Sequence, residues 1–177
     1  GVEDYGIYNV IGGLVSMFSI ISGSLSAATS RFITVGLGKG NPIELRKTFS
    51  ATVSIHILLA LILVILLETI GVWFLNNHMN IPIERMSASN WVFQCSIGTF
   101  VLSILCIPYN ASIIAHEKMS VFAFMAIFDA IFKLFITIIL YYYGGDKLIL
   151  LAVLWLFPAL ITLLIYWSYC KRKFEEC

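Results

Sequence analysis

Charge is what this chain has least of. Asp, Glu, Lys and Arg make up 12% of its 177 residues, about half the share of an ordinary soluble domain. So few charges cannot coat a soluble surface, which argues against a soluble enzyme. Cysteine is also scarce. Cys95, Cys106, Cys170 and Cys177 form no CxxC pair and no zinc spacing, so they read as small buried hydrophobes and a free tail thiol. The chain has no Gly-rich phosphate loop, no HExxH, no nucleophile elbow and no cluster of metal ligands. No catalytic residue, metal, cofactor or nucleic-acid partner is therefore expected. No basic segment, short apolar run and small-residue cleavage site opens the chain. It starts at Gly1 rather than Met, and the expectation is a piece whose N-terminal part is missing.

What is abundant is apolar. Hydrophobic residues account for 60% of the chain, and the mean hydropathy is +0.95. They lie in long blocks rather than at the spacing of soluble amphipathic helices. About 20 apolar residues cross a bilayer as a helix. On that basis the fold class is all-α, a polytopic transmembrane helix bundle of about five spans at 7–36, 49–75, 91–115, 121–143 and 148–169. Gly36, Gly38, Gly40, Asn41 and Pro42 break the chain after the first span, and Gly144 and Gly145 stop the fourth. Tyr5, Tyr8, Trp73, Trp91, Tyr141, Tyr142, Tyr143, Trp167 and Tyr169 cluster at span ends, where Trp and Tyr favour the membrane interface.

Basic residues orient this topology. With the loop after the first span set inside, Arg31, Lys39, Arg46, Lys47, Lys118, Lys171, Arg172 and Lys173 are inside. Only Arg85 and Lys147 are outside, and Lys133 lies within a span. This bias follows the positive-inside rule. It places the N-terminal segment outside and the C-terminal tail in the cytoplasm.

The spans carry more than an anchor needs. Gly12, Ser16, Ser19, Gly23, Ser26 and Ser30 recur at helical spacing in the first, and Ser96, Thr99, Ser103, Cys106 and Asn110 in the third. Such stripes let helices approach closely, or line a hydrated cavity. Pro108 and Pro158 are expected to bend their helices. Asp129 and Lys133 stand four residues apart on one helical face, extended by Ala126, Ala130 and Thr137. An ionisable residue in a span costs roughly 2.5–3.5 kcal/mol to insert and so faces protein or water. The pair either neutralises itself and docks its helix, or forms a polar wall where Lys133 meets an anion. His56 either bonds a neighbouring helix or takes part in ion coupling, and Glu68 sits near an outer end. Arg31 either snorkels to headgroups or faces a cavity mouth.

Several strings also occur together: GVEDYGIYNVIGG, SGSLSAATSRFITVGLGKG, ETIGVWFLN followed by IP and ER, and PYNASIIAHEKMSVFAF. Over nearly the whole chain they resemble the polysaccharide biosynthesis exporters of bacteria. These O-antigen flippase-like proteins belong to the multidrug, oligosaccharidyl-lipid and polysaccharide exporter superfamily. The stretch from Pro108 to Met119 is the most specific. The resemblance implies a larger two-bundle transporter of the inner membrane, of which this chain is roughly spans two to six. It also implies alternating-access export of a polyprenyl-pyrophosphate-linked glycan, with the remainder of the transporter as partner. Arg31 and Lys133 are then candidates for anion contact, and Asp129, His56 and Asn110 for coupling or a polar cavity. The alternatives are a proton- or sodium-coupled drug or cation antiporter of the same superfamily, using Asp129, Glu68 or His56, and a membrane scaffold that transports nothing.

Overall fold

The computed structural model of the chain describes residues 2–17, 19–79 and 81–177. Those residues are almost wholly helical, with no strand among them. The helices are α1 (Val2–Ser16), α2 (Ser19–Gly38), α3 (Pro42–Leu66), α4 (Val72–His78), α5 (Ile83–Ala115), α6 (Met119–Tyr142) and α7 (Lys147–Lys173). A π-helical turn, Leu67–Gly71, joins α3 to α4.

Local chemistry sets the boundaries. Asn41 caps α3: its Oδ1 accepts from the backbone N–H groups of Ile43 and Glu44, and Pro42 occupies the first turn, where a missing N–H costs nothing. Asp146 does the same for α7, accepting from the Leu148 N–H. Between α5 and α6 the chain turns at His116 and Glu117, the latter in the left-handed region at φ 56°.

Among the described residues, four helical stretches are long and apolar enough to cross a membrane: Pro42–His78, Glu84–Ala115, Met119–Tyr142 and Lys147–Lys173. The fold is that of a multi-pass helical membrane protein. The stretch 7–36 is not one of the four. It is covered by α1 and α2 with a turn at Met17 between them, and Phe18 lies outside the described residues. The hydroxyl and glycine positions that form its small-residue stripe also lower the apolarity of α2. That stripe therefore runs over two helices, and the side chains of Ser16 and Ser19 lie outside the described part. Pro108 and Pro158 are both accommodated inside continuous helices.

α5 is the hub. It packs against α1, α2, α3 and α7, whereas α6 rests on α7 and α5 alone. The main core gathers Val92, Phe93, Ile97, Phe100 and Ile104 of α5 with Ile11 and Val15 of α1, Ala60 and Leu63 of α3, and Leu148 and Ala152 of α7. Two contacts explain why α5 can be approached so closely. A Cβ on Gly71 would lie 2.6 Å from Phe93 Cζ, and one on Gly98 would lie 3.1 Å from Leu156 Cδ2. Glycine at these positions lets the π turn and α7 seat on α5.

Polar links tie the hub at both ends. At the end where α5 begins, Arg85 Nη1 meets Asp146 Oδ2 at 3.0 Å, Gln94 donates to Glu68 at 2.9 Å, and Asn76 and Asn90 exchange amide bonds. At its other end His116 Nε2 lies 2.7 Å from the buried Glu176 carboxylate, and the His116 ring stacks on Phe174 at 4.0 Å. The tail after α7 therefore folds back and holds the α5–α6 turn.

Candidate functional site

Three helices converge on an open cavity of about 400 Å³. α5 supplies Thr99, Ser103 and Cys106; α6 supplies Ala126, Asp129 and Lys133; α7 supplies Trp155, Pro158, Thr162 and Tyr166. A second cavity of about 370 Å³ adjoins it, formed by Tyr8, Gly12 and Val15 of α1, Ser96, Thr99 and Ser103 of α5, and Trp155 of α7. The two share Thr99, Ser103 and Trp155. Together they make one groove that follows the polar seam of α5, with α1 at one end and the α6 charges at the other. Each volume is in the range of ordinary ligand pockets.

The hydroxyls of the seam are held by their own helix. Ser96 donates to the Val92 carbonyl at 2.8 Å, Thr99 to Cys95 at 2.9 Å and Ser103 to Phe100 at 2.7 Å. With each proton committed, the oxygens keep lone pairs for a donor in the groove. A ligand rich in hydroxyl groups suits that surface better than one that only accepts.

Opposite the seam, Lys133 Nζ lies 2.7 Å from Asp129 Oδ2, as the i, i+4 spacing anticipates. The same ammonium stands 5.4 Å from the centre of the Trp155 ring, within cation–π range. Both charged side chains are nearly half exposed, at 48% and 46%. Both line the cavity, which spares them contact with hydrocarbon, where a lone charge would be costly. The site offers an ammonium paired with a carboxylate, a flat aromatic face and a row of acceptor oxygens.

The other residues singled out from the sequence lie elsewhere. Arg31 is exposed on α2 and lines neither cavity. His56 is buried in α3 with 1% exposure. Its Nδ1 sits 2.8 Å from the Thr52 carbonyl and so carries the proton, while Nε2 is buried without a partner. Asn110 continues the α5 stripe beyond the groove, and its Oδ1 is buried without a partner. Glu68 is engaged by Gln94 at the π turn. Ala126 lines the groove, whereas Thr137 hydrogen-bonds its own helix through the Lys133 carbonyl and lies outside it. No group of three or more His, Cys, Asp or Glu side chains able to hold a metal occurs among the described residues.

Trp155 is the residue that sequence reasoning passed over. The signal was its position: of four tryptophans, Trp73, Trp91 and Trp167 stand at span ends, and Trp155 stands inside a span. Tryptophan favours the interface, so one within a span stands apart from the other three.

No known protein family, no curated protein and no solved structure gives a significant match to the chain.

Proposed function

We propose that this chain forms one wall of an export pathway in the bacterial inner membrane, one that flips a polyprenyl-pyrophosphate-linked oligosaccharide or polysaccharide precursor by alternating access. The observation that carries the proposal is the groove itself. A seam of acceptor oxygens, an aromatic ring and an ammonium paired with a carboxylate line one groove between membrane-spanning helices. Each part answers one part of such a substrate. The seam replaces sugar hydration, and Lys133 offsets pyrophosphate charge. The strings that resemble polysaccharide exporters support the same reading. Transport rather than bond chemistry is the proposed activity, with the glycan lipid as substrate and a second bundle as partner. The positive-inside bias supports an outside N-terminus and a cytoplasmic tail. Rocking of two bundles about a midplane site is the general transporter solution.

The test is complementation. The full-length protein is expressed in a strain lacking its sugar-lipid exporter, and surface glycan is scored. Restoration that is lost with Lys133→Ala supports the basic groove. Restoration indifferent to Lys133→Ala removes its role, and Arg31→Ala tests the second cation, which lies away from the groove. Failure to restore glycan at normal membrane expression turns attention to the ion-coupled antiporter. One observation favours that second reading: the buried, unpartnered Nε2 of His56 is a proton acceptor inside a span. Drug or cation efflux that follows an ion gradient and fails with His56→Gln would establish it. A scaffold predicts a dry seam. In a background with Cys95, Cys106, Cys170 and Cys177 replaced, Ser103→Cys should react with a water-soluble thiol reagent if the groove is hydrated, and stay unreactive if the bundle is inert.

A further inference from the structure

Lys133 does two things at once in the empty groove. Its ammonium is paired with Asp129 at 2.7 Å and stands over the indole of Trp155 at 5.4 Å. Trp155 is also the one α7 side chain other than Ala152 to line the smaller cavity, and the one α7 side chain common to both. It therefore stands where the charged end of the groove meets the seam of Ser96, Thr99 and Ser103.

We propose that Trp155 is a sugar-stacking platform that Lys133 masks until an anion arrives. This deepens the export reading and rests on it. The ligand class is a pyranose attached to a phosphate or pyrophosphate group. One face of a pyranose presents mainly C–H groups, which pack on the flat, electron-rich face of an indole. Its hydroxyls then meet the acceptor oxygens on α5. In the empty state that indole face attracts the ammonium instead. A phosphate oxygen competes with Asp129 for the same ammonium, with a higher charge and more acceptor sites, so the phosphate draws Lys133 off the ring. Anion recognition thereby uncovers the sugar site. A sugar without its phosphate meets a covered platform, and a phosphate without sugar uncovers a platform that it does not fill. The arrangement selects for the two groups joined in one molecule.

The test uses the full-length protein in detergent or vesicles, with Trp73, Trp91 and Trp167 changed to Phe so that Trp155 alone fluoresces. The probes are a polyprenyl phosphate without sugar and a polyprenyl pyrophosphate carrying one hexose. Acrylamide quenching of Trp155 should rise with the first probe and fall with the second. In Lys133→Met the quenching should start high, and the first probe should not raise it further. Trp155→Leu should weaken binding of the hexose lipid about tenfold, or about 1.4 kcal/mol, and leave the sugar-free lipid unchanged. Trp155→Phe retains a ring and should recover most of the loss, which separates stacking from a packing defect. Binding of both probes with unchanged quenching overturns the platform and leaves the export reading standing. Equal weakening of both probes by Trp155→Leu does the same. If neither probe binds the unmodified site, the export reading falls and the platform falls with it.

Discussion

α5 and α6 are both long and apolar enough to cross a bilayer, and they sit in the bundle in opposite ways. In the apolar window of α5, 44% is buried inside the protein, against 11% for α6. Yet α5 is the less apolar of the two, and indeed the least apolar of the four spanning stretches. In water this order would be reversed. In a bilayer, lipid tails solvate Leu, Ile and Phe as well as a protein core does, so apolarity gives no reason to turn inward. What draws a helix to the centre is the ability to come close and to satisfy polar groups. α5 has Gly98 against Leu156, Ser96, Thr99 and Ser103 bonded along its own backbone, and polar links at each end. α6 has one charged feature, the Asp129–Lys133 pair, and that pair lines the groove.

Four measurements would sharpen this contrast or break it. The largest effect is expected where α5 is most tightly packed. Phe93 is fully buried, and Phe93→Ala should lower stability by about 3 kcal/mol. The matching change on α6, Phe124→Ala at a side chain 62% exposed, should stay within about 0.5 kcal/mol. Unfolding in mixed micelles with increasing denaturing detergent reads both, and equal losses would mean that α6 is no more peripheral than α5. Next in size is overpacking. Gly98→Leu forces a side chain into the 3.1 Å approach of Leu156 and should cost about 1–3 kcal/mol, whereas Ala130→Leu on exposed α6 should be nearly neutral in the same assay. A smaller effect belongs to the charged pair. A double-mutant cycle with Asp129→Leu and Lys133→Met should give a coupling of about 1 kcal/mol, modest because both groups border an open groove. A coupling near zero would show that water, not the partner, stabilises each charge. The smallest is at the exposed Arg85–Asp146 pair. Arg85 and Asp146 are 39% and 36% exposed, so Arg85→Ala should cost about 0.5 kcal/mol, and less in high salt.

Much of this site was legible in the sequence because helical periodicity is a local property. The spacing of Ser96, Thr99, Ser103 and Cys106 put them on one face, and all four line the groove. Asn110 keeps the same spacing and falls outside, at a level where Tyr166 and Cys170 of α7 pack against Tyr109 and Ile113. Asp129 and Lys133 pair as their i, i+4 separation anticipates. His116 reads as a plain loop residue until the tail brings Glu176 to it from 60 positions away. The π turn at Leu67–Gly71 left no mark in composition; it is where Gly71 passes under Phe93 and Glu68 meets Gln94.

The amino-acid sequence by itself determined that this is an all-helical membrane protein, and that Ser96, Thr99, Ser103 and Cys106 share one face of α5. Those properties follow from hydropathy, from turn-forming residues and from the helical repeat, all of which act over a few neighbouring positions. Only the tertiary structure decided that α5 is the hub, that Trp155 stands between the two cavities under Lys133, and that Arg31 and His56 lie away from them. Lipid makes every apolar face equally acceptable at the surface, so these choices depend on which backbones can approach and which distant polar groups meet. Both are settled between helices rather than along them.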